Sequence, residues 1–192
     1  MKIFDILKRL EEINKPFYTI ADLEKITGFS RKSLYVALNR WVAMGILKKI
    51  AQGIYVPFGK EIDVEKIASQ MYLPNYLSFE SALVRYGILN LVPYTITFAT
   101  PRKTRNYTID ERDVIFRQIK RDLFWGYTIS SGIYVAEKEK AFLDQIYIAK
   151  KGIASVDLEE MNMHLLSRNK ILKYAKKYPR FVQNYLSSIL TK

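Results

Sequence analysis

"FSRKSLYVALNRWVAMGILKKIAQGIYVP", residues 29–57, decides the fold. Ser30 precedes a helical pattern, where its hydroxyl can accept from the first unbonded backbone N–H groups. Leu34, Leu38, Trp41 and Val42 recur at helical spacing and predict an inner stripe. Gly45 ends the helix. The runs "ILKKI" and "GIYVP" then alternate like two short strands around "AQG", where Gly53 supplies a residue tolerant of positive φ.

Upstream, Ile3, Ile6, Leu7, Leu10 and Ile13 predict a first helix that stops before Pro16. "TIADLEKITG" places Thr19 as N-cap, Asp22 three residues on and Gly28 at the close, so a second helix spans 20–27. The order helix, helix, helix, hairpin is that of a winged helix-turn-helix. In that motif the third helix enters the major groove of DNA. Its core stripe leaves Ser30, Arg31, Lys32, Ser33, Tyr35, Asn39 and Arg40 toward the outside. Arg reads guanine with two donors, Asn reads adenine, and Ser, Tyr and Lys reach phosphates. Lys48, Lys49 and Gln52 fall on the hairpin, where a wing meets backbone or minor groove.

Charge agrees with a polyanionic partner. The 192 residues hold 31 Lys+Arg against 19 Asp+Glu, a net charge of +12. Residues 1–60 carry 11 basic and 5 acidic side chains, and residues 157–192 carry 7 and 3, so the excess sits at the two ends. Cysteine is absent, which removes disulfides, thiolate metal sites and cysteine nucleophiles. The charged N-terminal stretch is not a signal peptide, and no apolar run reaches membrane-spanning length. The expectation is a soluble cytoplasmic protein with no membrane partner.

After Pro57 the texture changes. "IDVEKIASQM", "SFESALVRYGI" and "AEKEKAFLDQIYIAKK" read as helices; "YTITFAT", "RDVIFRQI", "WGYTI" and "GIYV" read as strands. "VDLEEMNMHLLSRNKILKYAKKY" reads as one long or two short helices, broken at Pro179. The fold class is therefore α+β. A winged helix-turn-helix (1–58) precedes an α+β domain (62–156) with a small mixed or antiparallel sheet. A helical extension (157–192) packs on that second domain.

Three motifs follow the winged helix in order: "YLSFESALVRYGI" (72–88 region), "VPYTITFATPRK" (92–103) and "GIYVAEKEKAFLD" (132–144). With the winged-helix pattern, they resemble the AbiEi family, the antitoxins of AbiE-type toxin–antitoxin systems. The resemblance covers nearly the whole chain and is weakest after about residue 155. It implies an N-terminal domain that binds operator DNA and represses its own operon; if two copies bind, the operator should consist of paired half-sites. It also implies a C-terminal domain that contributes to neutralising a nucleotidyltransferase-like toxin, without assuming direct contact with it. A stand-alone winged-helix transcription factor, whose second domain senses a ligand or makes a homodimer, is the alternative.

Within the second domain, Ser78 is expected to cap a helix and Glu80 to sit in its first turn. Glu137 with Lys140, and Lys140 with Asp144, have the spacing of helical ion pairs. Arg102, Lys103 and Arg105 in "TPRKTR", and Lys170, Lys173 and Lys177 along a C-terminal helix, form two further basic patches that suit nucleic acid or an acidic partner. No enzyme is expected. The single histidine, His164, cannot build a histidine metal site, and no glycine-rich phosphate loop occurs. A nuclease site could take Asp110 or Asp113 as its first acid, but the E-x-K triplet that should follow is missing. No cofactor or metal is called for.

Overall fold

The computed structural model describes residues 3–90 and 94–190. Val92 and Pro93 of the second motif lie outside the described residues. The chain folds as two compact units. One runs up to Ile67 and includes Thr108–Glu111; the other comprises Ala68–Tyr107 and Arg112 onward. The division therefore falls inside a helix, later than the composition change at 58–62.

The first unit is α1 (Ile3–Ile13), β1 (Tyr18–Thr19), α2 (Ile20–Thr27), α3 (Arg31–Ala43), β2 (Leu47–Ala51) and β3 (Ile54–Pro57). The strands form an antiparallel sheet in the order β1-β3-β2. Local chemistry explains the starts of α2 and α3 and the turn between β2 and β3. The Thr19 hydroxyl accepts from the Asp22 amide, and the Asp22 carboxylate accepts from the Thr19 amide, a complete capping box. Burial alone would raise the Asp22 pKa, but Lys15 at 2.6 Å and the Thr19 donors lower it on balance. The Ser30 hydroxyl accepts from the Ser33 amide and caps α3. Gly53, at φ 72, turns the β2–β3 hairpin.

Ile6, Leu10, Leu23, Leu34, Ala37, Leu38, Trp41 and Tyr55 form the core of this unit. Full burial of a large apolar side chain is worth about 1.5–3 kcal/mol before chain entropy is subtracted. The inner stripe of α3 differs from expectation at one position. Ala37 is buried and Val42 is exposed, because position 37 lies three and four residues from Leu34 and Trp41 while 42 is rotated toward solvent.

The second unit is built on a six-stranded mixed sheet in the order β6-β7-β5-β4-β9-β8. These strands are β4 (Tyr76–Leu77), β5 (Thr95–Thr100), β6 (Arg105–Ile109), β7 (Arg112–Gln118), β8 (Tyr127–Ser130) and β9 (Ile133–Ala136). β5 runs parallel to β7 and β4 parallel to β9, while β4–β5 and β8–β9 are antiparallel. Helix α4 (Val64–Met71) leads into the sheet and α5 (Phe79–Arg85) follows β4. α6 (Lys138–Lys150) is buried along most of its length, and α7 (Arg168–Ala175) and α8 (Arg180–Leu190) complete the unit. Both units together make the chain α+β, as expected. Two local readings are corrected. β6 begins at Arg105, the end of "TPRKTR", a stretch not read as a strand. Residues 157–167 are not α-helix; they hold an isolated bridge from Met161 to Leu89 and a short 3-10 turn, Met163–Leu165, and Ser167 caps α7 instead. An apolar stretch without a cap had imitated helical periodicity there.

Two sequence motifs meet in the core of the second unit. Lys140 and Asp144 form an ion pair with both side chains fully buried. Asp144 also accepts from Tyr178 (2.7 Å), Ser78 (2.9 Å) and Tyr76 (3.0 Å). Four donors thus fill the lone-pair capacity of one carboxylate. The Ser78 hydroxyl makes this bond and none to the backbone of α5, so its expected capping role is corrected. Burial pushes the Tyr76 and Tyr178 hydroxyls far above their ordinary range, and Asp144 adds to it. Burial lowers the Lys140 pKa while Asp144 pulls it back up.

Candidate nucleic-acid interface

Core packing of α3 dictates what its other side shows. With Leu34, Ala37, Leu38 and Trp41 turned inward, successive residues advance by about 100°, so Lys32, Val36, Asn39 and Ala43 lie opposite the core. All four are exposed. Ser33 and Arg40 flank this stripe on one side. Arg31, Tyr35 and Val42 flank it on the other, where the Arg31 Nε lies 4.0 Å from the Glu24 carboxylate of α2. Tyr35 is half-exposed and sits close enough to Tyr55 to raise that hydroxyl's pKa further, burial being the larger cause.

Among the described residues, no carboxylate pairs with Lys32, Arg40 or Lys49. A cationic stripe on a rigid, capped helix can approach phosphates without first breaking an internal ion pair. Val36 is 68% exposed at the middle of the stripe. It was not among the expected contacts, although its i+4 spacing from Lys32 and i−3 spacing from Asn39 could have placed it there. An apolar group in that position suits the thymine methyl of a major groove.

The wing is short. Lys48 and Lys49 are exposed on β2, and Gln52 is exposed in the turn beside Gly53. A bulge between Lys49 and Ala51 interrupts the β2–β3 register. Lys48 is tied to Asp110 at 2.5 Å, and the Asp110 amide donates to the Ile50 carbonyl at 2.8 Å. Asp110, weighed as a nuclease acid, is therefore the counter-ion of a wing lysine.

The two basic patches of the second unit separate. Lys170 is an internal partner: its ammonium lies 2.8 Å from Glu137 and 3.3 Å from Glu139. Its pKa is raised by those carboxylates, and Glu137 is held below the ordinary carboxylate range by Lys170 and the Tyr174 hydroxyl. Glu137 thus pairs across helices, not with Lys140 as its spacing suggested. Lys173 and Lys177 remain exposed, with Lys177 lying 4.3 Å above the Trp125 ring. In the other patch, Arg102, Lys103 and Arg105 are all exposed. Glu80 does sit in the first turn of α5, bound to Arg117 at 2.6 Å. His164 is exposed in its 3-10 turn. Among the described residues, no group of three His, Cys, Asp or Glu side chains could hold a metal ion, and no helix is long and apolar enough to cross a membrane.

No family model matches the chain, and no curated protein sequence does. Among solved structures it is similar to the crystal structure of RV2827C protein from Mycobacterium tuberculosis, with a TM-score of 0.62 at 15% sequence identity. The likeness covers 93% of this chain and 72% of that one. At such an identity it speaks to the fold alone.

Proposed function

We propose that the protein is a DNA-binding transcriptional regulator that reads its operator through α3. The observation that carries this is the solvent stripe Lys32–Val36–Asn39 with Arg40 beside it. It is cationic, mixes polar and apolar readers, and sits on a helix capped at its start and pinned by the core. Lys49 and Gln52 extend it onto the wing. Helix residues in the groove would carry base readout, while Ser30, Ser33 and Lys32 near the N-terminus of α3 would hold phosphates.

The narrower reading is an autorepressing antitoxin of an AbiE-like operon whose toxin is nucleotidyltransferase-like. Its support is the resemblance of the three motifs to AbiEi. Two of them supply the partners of one buried network, Tyr76 and Ser78 from one motif and Lys140 and Asp144 from the other.

Fluorescence anisotropy on the chain's own upstream DNA and on a shuffled duplex, at two salt concentrations, tests the reader. Native DNA should bind with higher affinity, and exchanging Arg31, Lys32 and Arg40 for alanine should abolish the preference. Equal affinity for both duplexes would overturn it. Co-expression with an adjoining nucleotidyltransferase-like gene product tests the antitoxin: growth should be rescued.

A further inference from the structure

Residues 100–105 join β5 to β6, the edge strand of the six-stranded sheet. Four consecutive exposed residues, 102–105, with three cations among them would ordinarily be solvated and mobile. This stretch is fastened along its length. The Tyr72 hydroxyl donates to the Lys103 carbonyl at 3.0 Å. The Thr104 hydroxyl accepts from the Gln118 amide at 3.0 Å. The Thr100 hydroxyl donates to the Pro74 carbonyl and accepts from the Arg102 amide. The Arg102 guanidinium donates to the Leu73 carbonyl at 2.9 Å.

The side chains are ordered as well. The guanidinium carbons of Arg102 and Arg105 lie 4.5 and 5.3 Å from the centre of the same Tyr72 ring. That ring is itself wedged edge-on against Phe116. Two like charges are thus gathered at one ring, and Lys103, also exposed, lies between them in the chain. Among the described residues, no carboxylate pairs with any of the three. Cations gathered with no carboxylate beside them repel one another, and an anion placed among them would offset that repulsion. Holding them rigid beforehand removes ordering entropy from the binding step. Planar forks on a stacked ring suit the tetrahedral oxygens of a phosphate.

We propose that Arg102, Lys103 and Arg105 form a phosphate clamp in the second unit that grips the phosphodiester backbone of a nucleic acid without reading sequence. The clamp is separate in residues and in role from α3. It adds affinity to any strand, whereas α3 discriminates among duplexes.

The test uses the full chain and the variant Lys103→Gln/Arg105→Gln, which removes two exposed cations but keeps the bond from the Tyr72 hydroxyl to the Lys103 carbonyl and the Arg102 bond to the Leu73 carbonyl. Binding to a labelled shuffled duplex is followed against salt concentration. Each lost phosphate contact lowers the slope of log affinity on log salt by about 0.9, so the double variant should lose roughly 1.8. The native-to-shuffled ratio should stay unchanged, whereas the α3 triple variant should lose that ratio and keep the clamp's share of the slope. Failure of the clamp and failure of the α3 reading therefore give different results. An unaltered slope in the double variant overturns the clamp. Displacement of duplex by millimolar nucleoside triphosphate should be equal for wild type and variant, while displacement confined to wild type would assign the clamp to free nucleotides and overturn the backbone assignment. Arg105→Lys, which keeps charge but loses the fork, should retain the slope and weaken affinity.

Discussion

Lys140 and Asp144 stand one helical turn apart on α6 and pair where neither side chain meets solvent. A buried pair of this kind is expensive to assemble, and its Coulomb attraction offsets desolvation only when every remaining donor and acceptor is satisfied. Here Tyr76, Ser78 and Tyr178 complete the shell of Asp144, and the Lys140 ammonium also donates to the Tyr76 oxygen at 2.8 Å.

Removing one partner strands the other. Asp144→Ala should cost about 3–5 kcal/mol, read as a drop in the midpoint of urea unfolding. Lys140→Met/Asp144→Leu removes both charges and should be more stable than Asp144→Ala alone, though three hydroxyls then lose their acceptor. A single-variant loss below about 0.5 kcal/mol, the usual size for a surface change, would contradict the burial of the pair.

Gly126 provides an independent probe of the same core. Its φ is 72, and a Cβ there would sit 3.2 Å from Cγ of Lys140. Gly126→Ala combines backbone strain with pressure on the buried lysine stem. It should destabilise by more than about 1 kcal/mol, visible as a lower melting temperature. An unchanged melting temperature would mean that the Lys140 stem yields freely.

Acid should weaken the α6–α7 contact in a defined window. Glu137 is lowered from 4.5 by Lys170 and by the Tyr174 hydroxyl. A carboxyl depressed in the folded state contributes stability that is complete above its unfolded pKa and is lost as pH falls through the folded one. Unfolding free energy should therefore decline from about pH 4.5 downward, and Glu137→Gln should flatten that limb. Equal slopes for both proteins would remove Glu137 as the cause.

Much of the first unit was legible because its signals are local. Thr19 with Asp22, Ser30 with Ser33, and the glycines at 28, 45 and 53 each act within a few residues of where they stand. The second unit was less legible because its decisive contacts are long-range. Nothing near Ser78 says that its hydroxyl will serve Asp144, 66 residues on. β1 and β4, two residues each, are too short to show a period. β6 is hidden by the charge of an edge strand, which edge strands commonly carry. The outward stripe of α3 was read correctly in its polar members and missed at Val36, because an apolar residue on a helix is assigned to core by default.

The wing offers the last prediction. Lys48 and Lys49 are adjacent in sequence and both exposed, yet among the described residues a carboxylate pairs with Lys48 alone, Asp110 at 2.5 Å. If the wing meets DNA, Lys49→Ala should remove one phosphate contact and lower the salt slope by about 0.9, while Lys48→Ala should lower it by less. Asp110→Asn should have the opposite sign. Asp110 lies at φ 48, a conformation that asparagine tolerates as readily as aspartate, so the turn survives while the charge is lost. Lys48 is then released toward solvent, and affinity for any duplex should rise at low salt with a steeper slope. Anisotropy titrations of the three variants across a salt series read all of this directly. Identical slopes for Lys48→Ala and Lys49→Ala, with Asp110→Asn unchanged, would show that the wing stays clear of the phosphates and leave α3 as the reader alone.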